Sequence, residues 1–160
     1  MTERLDELRA AFARGFAAAP APEAEPGIEL LRIRLGDEPY AIILAECAGL
    51  HADLAIVPMP SPARALLGLA AVRAAIVPVY DLRAVLGATT GTRPRWLVIG
   101  RDAPVLGFAF EAFDGYVHVA TRAIGPASGE ALRGGVTIEG RYHQVLDLAA
   151  IHTSVRKVRV

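Results

Sequence analysis

One pattern occurs twice in this chain and restricts its fold more than any other feature. The first copy, from Gly68 to Leu86, reads GLAAVRAAIVPVYDLRAVL, and the second, from Gly135 to Ile151, reads GVTIEGRYHQVLDLAAI. Each copy contains two short apolar runs separated by a turn, followed by Asp-Leu and a brief helical pattern. This order predicts a strand, a turn, a second strand and a short helix in each copy.

The rest of the chain adds further short strand candidates. They fall at residues 28–35, 40–45, 96–99, 105–110 and 116–119, with turn residues between them. Strands of this length and spacing are typical of small antiparallel barrels. We therefore predict an all-β fold of two small antiparallel β-barrel subdomains, with a linker at residues 88–94 (ATTGTRP) that divides the duplicated halves.

The two ends of the chain are predicted to lie outside this body. Residues 1–19 are predicted to form an amphipathic helix, because Leu5, Leu8, Phe12 and Phe16 recur at helical spacing. Prolines make residues 20–27 (PAPEAEPG) a linker. The folded body is then expected at 28–152 and a C-terminal tail at 153–160. An isolated helix of this length is marginal, so we expect it to dock on its own domain or on a partner, or to fray.

Composition excludes several classes of function. Seventeen basic residues balance seventeen acidic ones, so the basic excess typical of nucleic-acid binders is absent. Cys47 is the only cysteine, which rules out an internal disulfide or a thiolate zinc cluster. The chain contains no run of eighteen apolar residues and no signal-peptide core, so we expect no membrane insertion and a cytoplasmic location.

No pattern in the sequence points to catalysis, a cofactor or a metal. The four histidines form neither an HxH nor an HExxH pattern, and the glycines form no phosphate-binding loop. Cys47 precedes His51 by four residues, but this spacing alone indicates a buried structural cysteine. Asp81 and Asp147 each precede a short helix, where a carboxylate caps backbone N–H groups. The chain is therefore interpreted as a binding module and not an enzyme.

Several strings, which together span most of the body, resemble one known family. They are Leu35-Gly36-Asp37-Glu38 with Tyr40, Ile56-Val57-Pro58, Arg73, and Val77-Pro78-Val79-Tyr80-Asp81-Leu82-Arg83 in the first half. The second half contributes Leu106-Gly107-Phe108 with Glu111, Glu139-Gly140-Arg141 and Val145-Leu146-Asp147-Leu148. The chain resembles a divergent member of the CheW-like family, the chemotaxis adaptors that couple chemoreceptors to the histidine kinase CheA.

The resemblance implies a fold and two partners. It implies two five-stranded barrels with a hydrophobic groove between them that accepts the cytoplasmic tip of a methyl-accepting chemoreceptor. An outer edge of the first barrel would bind the regulatory domain of a CheA-type histidine kinase. By this resemblance the receptor groove is expected to involve Cys47, Leu50, Val57, Val72 and Arg73.

The chain departs from the family pattern in the first hairpin and beside it. Ala71 and Ala74 stand where asparagine and glycine are common, and Gly49 stands where glutamate is common. The loop at residues 126–134 also looks short for the family. These departures motivate one alternative to a complete adaptor, an accessory protein that binds only one partner. A separate alternative is a localisation or scaffold protein that docks through its N-terminal helix.

Overall fold

Two five-stranded β-sheets make up the part of the chain that the structure describes, residues 26–88 and 93–157 of a computed structural model. The first sheet contains, in spatial order, β8 (Ala112–Ala120), β1 (Gly27–Leu35), β2 (Glu38–Ile43), β10 (Arg141–Leu146) and β9 (Leu132–Ile138). The second contains β3 (Cys47–Ala52), β6 (Trp96–Gly100), β7 (Gly107–Phe110), β5 (Ala75–Asp81) and β4 (Leu66–Val72). The predicted all-β class is confirmed.

Short helices follow both duplicated hairpins, as the repeated pattern predicts. Helix α1 (Leu82–Val85) follows β5, and helix α2 (Leu148–Lys157) follows β10. The Asp81 carboxylate accepts a hydrogen bond from the Arg83 amide at 3.1 Å. The Asp147 carboxylate accepts one from the Ala150 amide at 3.0 Å. In both helices the side-chain oxygen satisfies an amide that has no partner within the first turn.

The two hairpins also match in their backbone detail. Each closes on two residues, because Val72 pairs with Ala75 and Ile138 pairs with Arg141. A bulge interrupts the ladder near the start of both β4 and β9. The duplicated sequence therefore folds twice into the same local structure.

The strands of the two halves are interleaved, which corrects the sequence-based expectation of two antiparallel barrels. Strand β10 pairs with β2 in parallel, and β5 pairs with β7 in parallel. Each sheet therefore takes strands from both sides of the linker at residues 88–94. Among the described residues, the edge strands β8 and β9 do not pair with each other, and neither do β3 and β4, so the sheets are not closed barrels.

Alternation along the strands produces three apolar clusters. In β6 and β7, Val98 and Phe108 face a cluster shared by the two sheets, whereas Leu97 and Ala109 face a cluster that belongs to the second sheet. The first sheet has its own cluster around Leu30 on its other face. Because the shared cluster contains buried residues of both sheets, it joins them into one continuous body.

The C-terminal helix extends the folded body beyond the predicted boundary. Helix α2 ends at Lys157, five residues past position 152, and Val155 is buried against the shared cluster. Residues 153–157 of the predicted tail are therefore helical. The predicted N-terminal helix and most of its linker lie outside the described residues. None of the described helices is long and apolar enough to cross a membrane.

Candidate functional site

The structure divides the five predicted groove residues between two places. Cys47 and Leu50 lie on β3, whereas Val72 lies on β4 and Arg73 on the turn that follows it. Strands β3 and β4 are opposite edges of the second sheet. Val57 lies on the segment between these strands and pairs with Leu69 of β4. The structure therefore brings Val57 next to β4 and places Cys47 and Leu50 on the other edge strand, and the predicted groove stays a prediction.

Cys47 is buried, with 7% of its surface exposed. Its side chain is buried in the shared cluster, and its Sγ lies 3.5 Å from the Ile43 carbonyl oxygen. Burial raises the pKa of the thiol to about 12. A thiol in this state is a poor nucleophile, as the sequence-based interpretation of a buried structural cysteine predicts.

An exposed apolar surface covers the outer face of the first hairpin. We call it the hairpin surface and define it by Val57, Leu69, Ala71 and Ile76. Val57 and Leu69 exchange backbone hydrogen bonds of 2.8 and 2.9 Å, and Ala71 lies opposite Ile76. Direct pairs and alternate residues share one face of a sheet. Val57 and Ile76 are 65% and 73% exposed, so large aliphatic side chains face solvent here.

The turn at the tip of this hairpin presents Arg73 in a left-handed conformation. Arg73 and Ala74 have φ angles of 47° and 64°. The corresponding residues of the second hairpin, Glu139 and Gly140, have φ angles of 50° and 80°. Two-residue hairpin turns with positive φ at both positions match the twist of the flanking strands. The first hairpin therefore keeps the backbone of the second although alanine replaces glycine.

A second surface lies at the boundary between the sheets, and sequence reasoning missed it. The ring of Trp96 on β6 lies 5.2 Å from that of Phe113 on β8, and Phe113 lies 5.2 Å from Tyr116. Leu50 faces the same side of the second sheet as Trp96, because it pairs with Val98 while Ala52 pairs with Trp96. We call Leu50, Trp96, Phe113 and Tyr116 the aromatic surface.

The aromatic surface is accessible to a partner. Tyr116 is 54% exposed, while Trp96, Phe113 and Leu50 are partly buried against the shared cluster. A cavity of about 450 Å³ adjoins the surface at Trp96. Its apolar lining includes Leu54 and Ile56, which follow β3. Clustered rings with one exposed member are typical of protein contact sites, since aromatic side chains bury a large area at little entropic cost.

Two exposed charged pairs flank the aromatic surface. The Arg95 guanidinium lies 5.9 Å from the centre of the Trp96 ring and donates to the Asp53 carboxylate at 3.2 Å. On the other side, His118 Nδ1 lies 2.7 Å from a Glu29 carboxylate oxygen. Glu29 and His118 pair across β1 and β8, two residues from the Leu31–Tyr116 pair, and so they continue the same face. The surface thus has an apolar centre and a rim of mixed charge.

Glu46 ties the crossing between the sheets to the second hairpin. It lies in a 3₁₀ turn, Leu44–Glu46, that leads from β2 to β3. Its carboxylate accepts hydrogen bonds from the Arg133 guanidinium and, at 3.4 Å, from the Leu148 amide at the start of α2. Burial raises the pKa of this carboxyl, against the opposing effect of Arg133. This contact holds β3, and with it Leu50, in place against the second hairpin.

The described residues offer no metal site. Within residues 26–88 and 93–157, no group of three or more histidine, cysteine, aspartate or glutamate side chains is placed to hold an ion. The two buried histidines lie against backbone carbonyl groups instead. His143 Nδ1 lies 2.9 Å from the Arg141 carbonyl oxygen, and His152 Nε2 lies 2.7 Å from the Pro104 carbonyl oxygen. These contacts give both imidazoles a structural role.

Comparison with known proteins identifies the family. The family model for the CheW-like domain matches residues 29–156. The chemotaxis protein CheW of Rhizobium meliloti (strain 1021) is 27% identical over 138 residues, which cover 80% of this chain and 89% of that protein. The crystal structure of the scaffolding protein TtCheW from Thermoanaerobacter tengcongensis is similar in fold, with a TM-score of 0.68 at 16% identity. The match covers 75% of this chain and 88% of that chain. The resemblance inferred from the sequence is confirmed, and the chain belongs to the CheW-like domain family.

Proposed function

We propose that this protein is a non-catalytic chemotaxis-type adaptor that binds the cytoplasmic tip of a methyl-accepting chemoreceptor. The observation that carries the proposal is the aromatic surface at the boundary between the sheets. Membership of the CheW-like family leads us to expect a receptor groove between the two β units. The aromatic surface is an apolar, partly exposed contact site at that boundary.

The chemistry of this surface suits a helical hairpin. Trp96, Phe113 and Tyr116 offer a row of rings on which the apolar side chains of two adjacent helices can pack. The flanking pairs, Arg95 with Asp53 and His118 with Glu29, offer both signs of charge to polar residues of the partner. A few buried aromatic anchors usually supply most of the binding free energy, and a polar rim fixes orientation. Leu50 is the residue of the predicted set that contributes to this contact.

The receptor contact is tested by a matched pair of tyrosines. Tyr116 and Tyr142 are 54% and 58% exposed and lie in the same sheet, but only Tyr116 belongs to the aromatic surface. We expect Tyr116→Ala to weaken binding to a chemoreceptor cytoplasmic fragment by about tenfold or more, and Tyr142→Ala to leave it unchanged. Isothermal titration calorimetry measures both. If the wild-type protein binds no chemoreceptor fragment, the proposal is wrong.

The hairpin surface supports a second contact, with the regulatory domain of a CheA-type histidine kinase. Its exposed aliphatic side chains Val57 and Ile76 form a patch separate from the aromatic surface. Arg73 lies at the tip of the same hairpin and belongs to this contact in the proposal. Val72 packs on the other face of the hairpin, against the cluster of the second sheet. We expect Ile76→Asp to abolish binding to the kinase regulatory domain and to leave receptor binding intact, because a charge at the centre of an apolar contact is costly.

The geometry of the first hairpin favours a complete adaptor over an accessory protein that binds one partner. Ala74 takes the left-handed conformation that glycine adopts in the second hairpin, so the hairpin surface keeps its shape. The accessory alternative gains support if the protein binds the receptor fragment but not the kinase domain. In that case, adding the protein to receptor and kinase together would leave kinase activity unchanged.

A further inference from the structure

We infer that the N-terminal segment, residues 2–19, docks on the aromatic surface of its own chain. The sequence predicts an amphipathic helix there, with an apolar face formed by Leu5, Leu8, Phe12 and Phe16. Such a face needs a partner, because isolated helices of this length are marginally stable. The segment lies outside the described residues, and the described part of the chain offers a matching surface close to where the segment joins it.

The point of attachment brings the segment to this surface. Gly27, the first residue of β1, pairs with Ala120 of β8, and the Pro26 carbonyl accepts a hydrogen bond from the Thr121 amide at 2.8 Å. The Leu31–Tyr116 pair lies four residues further along β1, which is about 13 Å away. The proline-rich residues 20–27 span up to about 25 Å when extended. A helix that precedes them can therefore reach Tyr116.

The His118 imidazole covers Gly27 on the face of the sheet that carries Tyr116. A Cβ on Gly27 would lie 2.0 Å from His118 Nε2, so the imidazole covers this glycine directly. His118 belongs to the same face as Glu29 and Tyr116, since the Glu29–His118 and Leu31–Tyr116 pairs are two residues apart. The chain thus joins β1 beneath a side chain that borders the aromatic surface.

The two partners are complementary in chemistry. Phe12 and Phe16 of the segment match the row of rings, and aromatic pairs add to the stabilisation that burial alone provides. If the aromatic surface is the receptor site, the docked segment competes with the receptor. That consequence rests on the proposed function, but the docking itself does not.

Trp96 reports the docking directly, because it is the only tryptophan in the sequence. In the full chain, the double substitution Phe12→Ser with Phe16→Ser should increase the acrylamide quenching of Trp96 and shift its emission to longer wavelength. The double substitution Arg9→Ser with Arg14→Ser, on the polar faces, is the control and should change neither. Equal quenching in the wild type and the Phe12/Phe16 variant would overturn the inference.

A photo-cross-linker tests the occupant and its origin. With benzoylphenylalanine in place of Phe12, irradiation of the full chain should link residue 12 to a peptide that contains Trp96, Phe113 or Tyr116. The link should form within one chain, in equal yield at every protein concentration. Cross-linked dimers in place of it, or a link elsewhere in the chain, would overturn the inference. Neither experiment contains a receptor, so failure here leaves the proposed function untouched.

Discussion

Replacing Ala74 by glycine should stabilise the fold, because the turn holds alanine at a φ of 64°. A left-handed conformation costs a residue with a Cβ about 1–2 kcal/mol. Glycine avoids this cost but loses about 0.4–1 kcal/mol through the greater freedom of the unfolded chain. The difference is a gain of about 0.5–1 kcal/mol in the free energy of unfolding, or roughly 1–4 °C in Tm for a domain of this size.

The second hairpin provides the matched control. Gly140 has a φ of 80°, and a Cβ placed there would meet no other atom within 4 Å. The Gly140→Ala variant therefore changes the backbone preference and little else. We expect it to lose about the same 0.5–1 kcal/mol that Ala74→Gly gains. The two substitutions then shift stability in opposite directions at equivalent positions of the duplicated fold.

Urea unfolding followed by the fluorescence of Trp96 measures both effects. The midpoint should rise for Ala74→Gly and fall for Gly140→Ala, with the slope unchanged, because the surface exposed on unfolding stays the same. The reasoning fails if both substitutions lower the urea midpoint. That result would mean that Ala74 does not adopt the left-handed conformation in the native protein.

Three further outcomes follow from the structure. Gly68→Ala should lower the free energy of unfolding in urea by more than about 2 kcal/mol, because its Cβ would lie 2.0 Å from the Val57 carbonyl oxygen. A decrease in Tm of less than about 1 °C would contradict this close approach. Burial raises the folded-state pKa of Asp81 above its unfolded value, so this carboxyl binds its proton more tightly when folded, and its contribution to stability falls as pH rises through the folded pKa. Asp81→Asn should remove this decrease in stability, which is expected in the acidic range above about pH 4. Thermal unfolding at a series of pH values measures it. If the variant kept the pH dependence of the wild type, Asp81 would not be the group responsible. The native thiol of Cys47 should resist an aromatic disulfide reagent at pH 8 and react fully in urea, since it is buried with a pKa of about 12; rapid native labelling would show that the thiol is accessible.

The local structure could be predicted from the sequence because it is encoded locally. The alternation of apolar residues and the Asp-Leu after each second strand predict the hairpin, the short helix and the capping positions of Asp81 and Asp147. Strand order could not be predicted in the same way. The parallel pairings of β2 with β10 and of β5 with β7 join residues far apart in the chain, and periodicity within a strand carries no information about such partners.

The candidate site was predicted only in part for the same reason. Leu50 lies on the surface between the sheets, but Val57 and Val72 lie at the first hairpin. Trp96 and Tyr116 fall in segments that the sequence predicts as strands, yet the contact that joins them through Phe113 crosses from one sheet to the other. A signal was present: the single tryptophan opens a strand directly after an arginine. Its significance depends on a tertiary contact that spacing cannot indicate.

The interleaving of the sheets has a consequence for how this protein is made. Residues 26–88 supply β1 to β5, and residues 93–157 supply β6 to β10, so neither part can complete a sheet. The first sheet stays incomplete until the ribosome has released β10, the last of its strands in chain order. Two polypeptides divided at this point should remain unfolded apart and assemble when mixed. The duplicated fold therefore lends itself to fragment complementation.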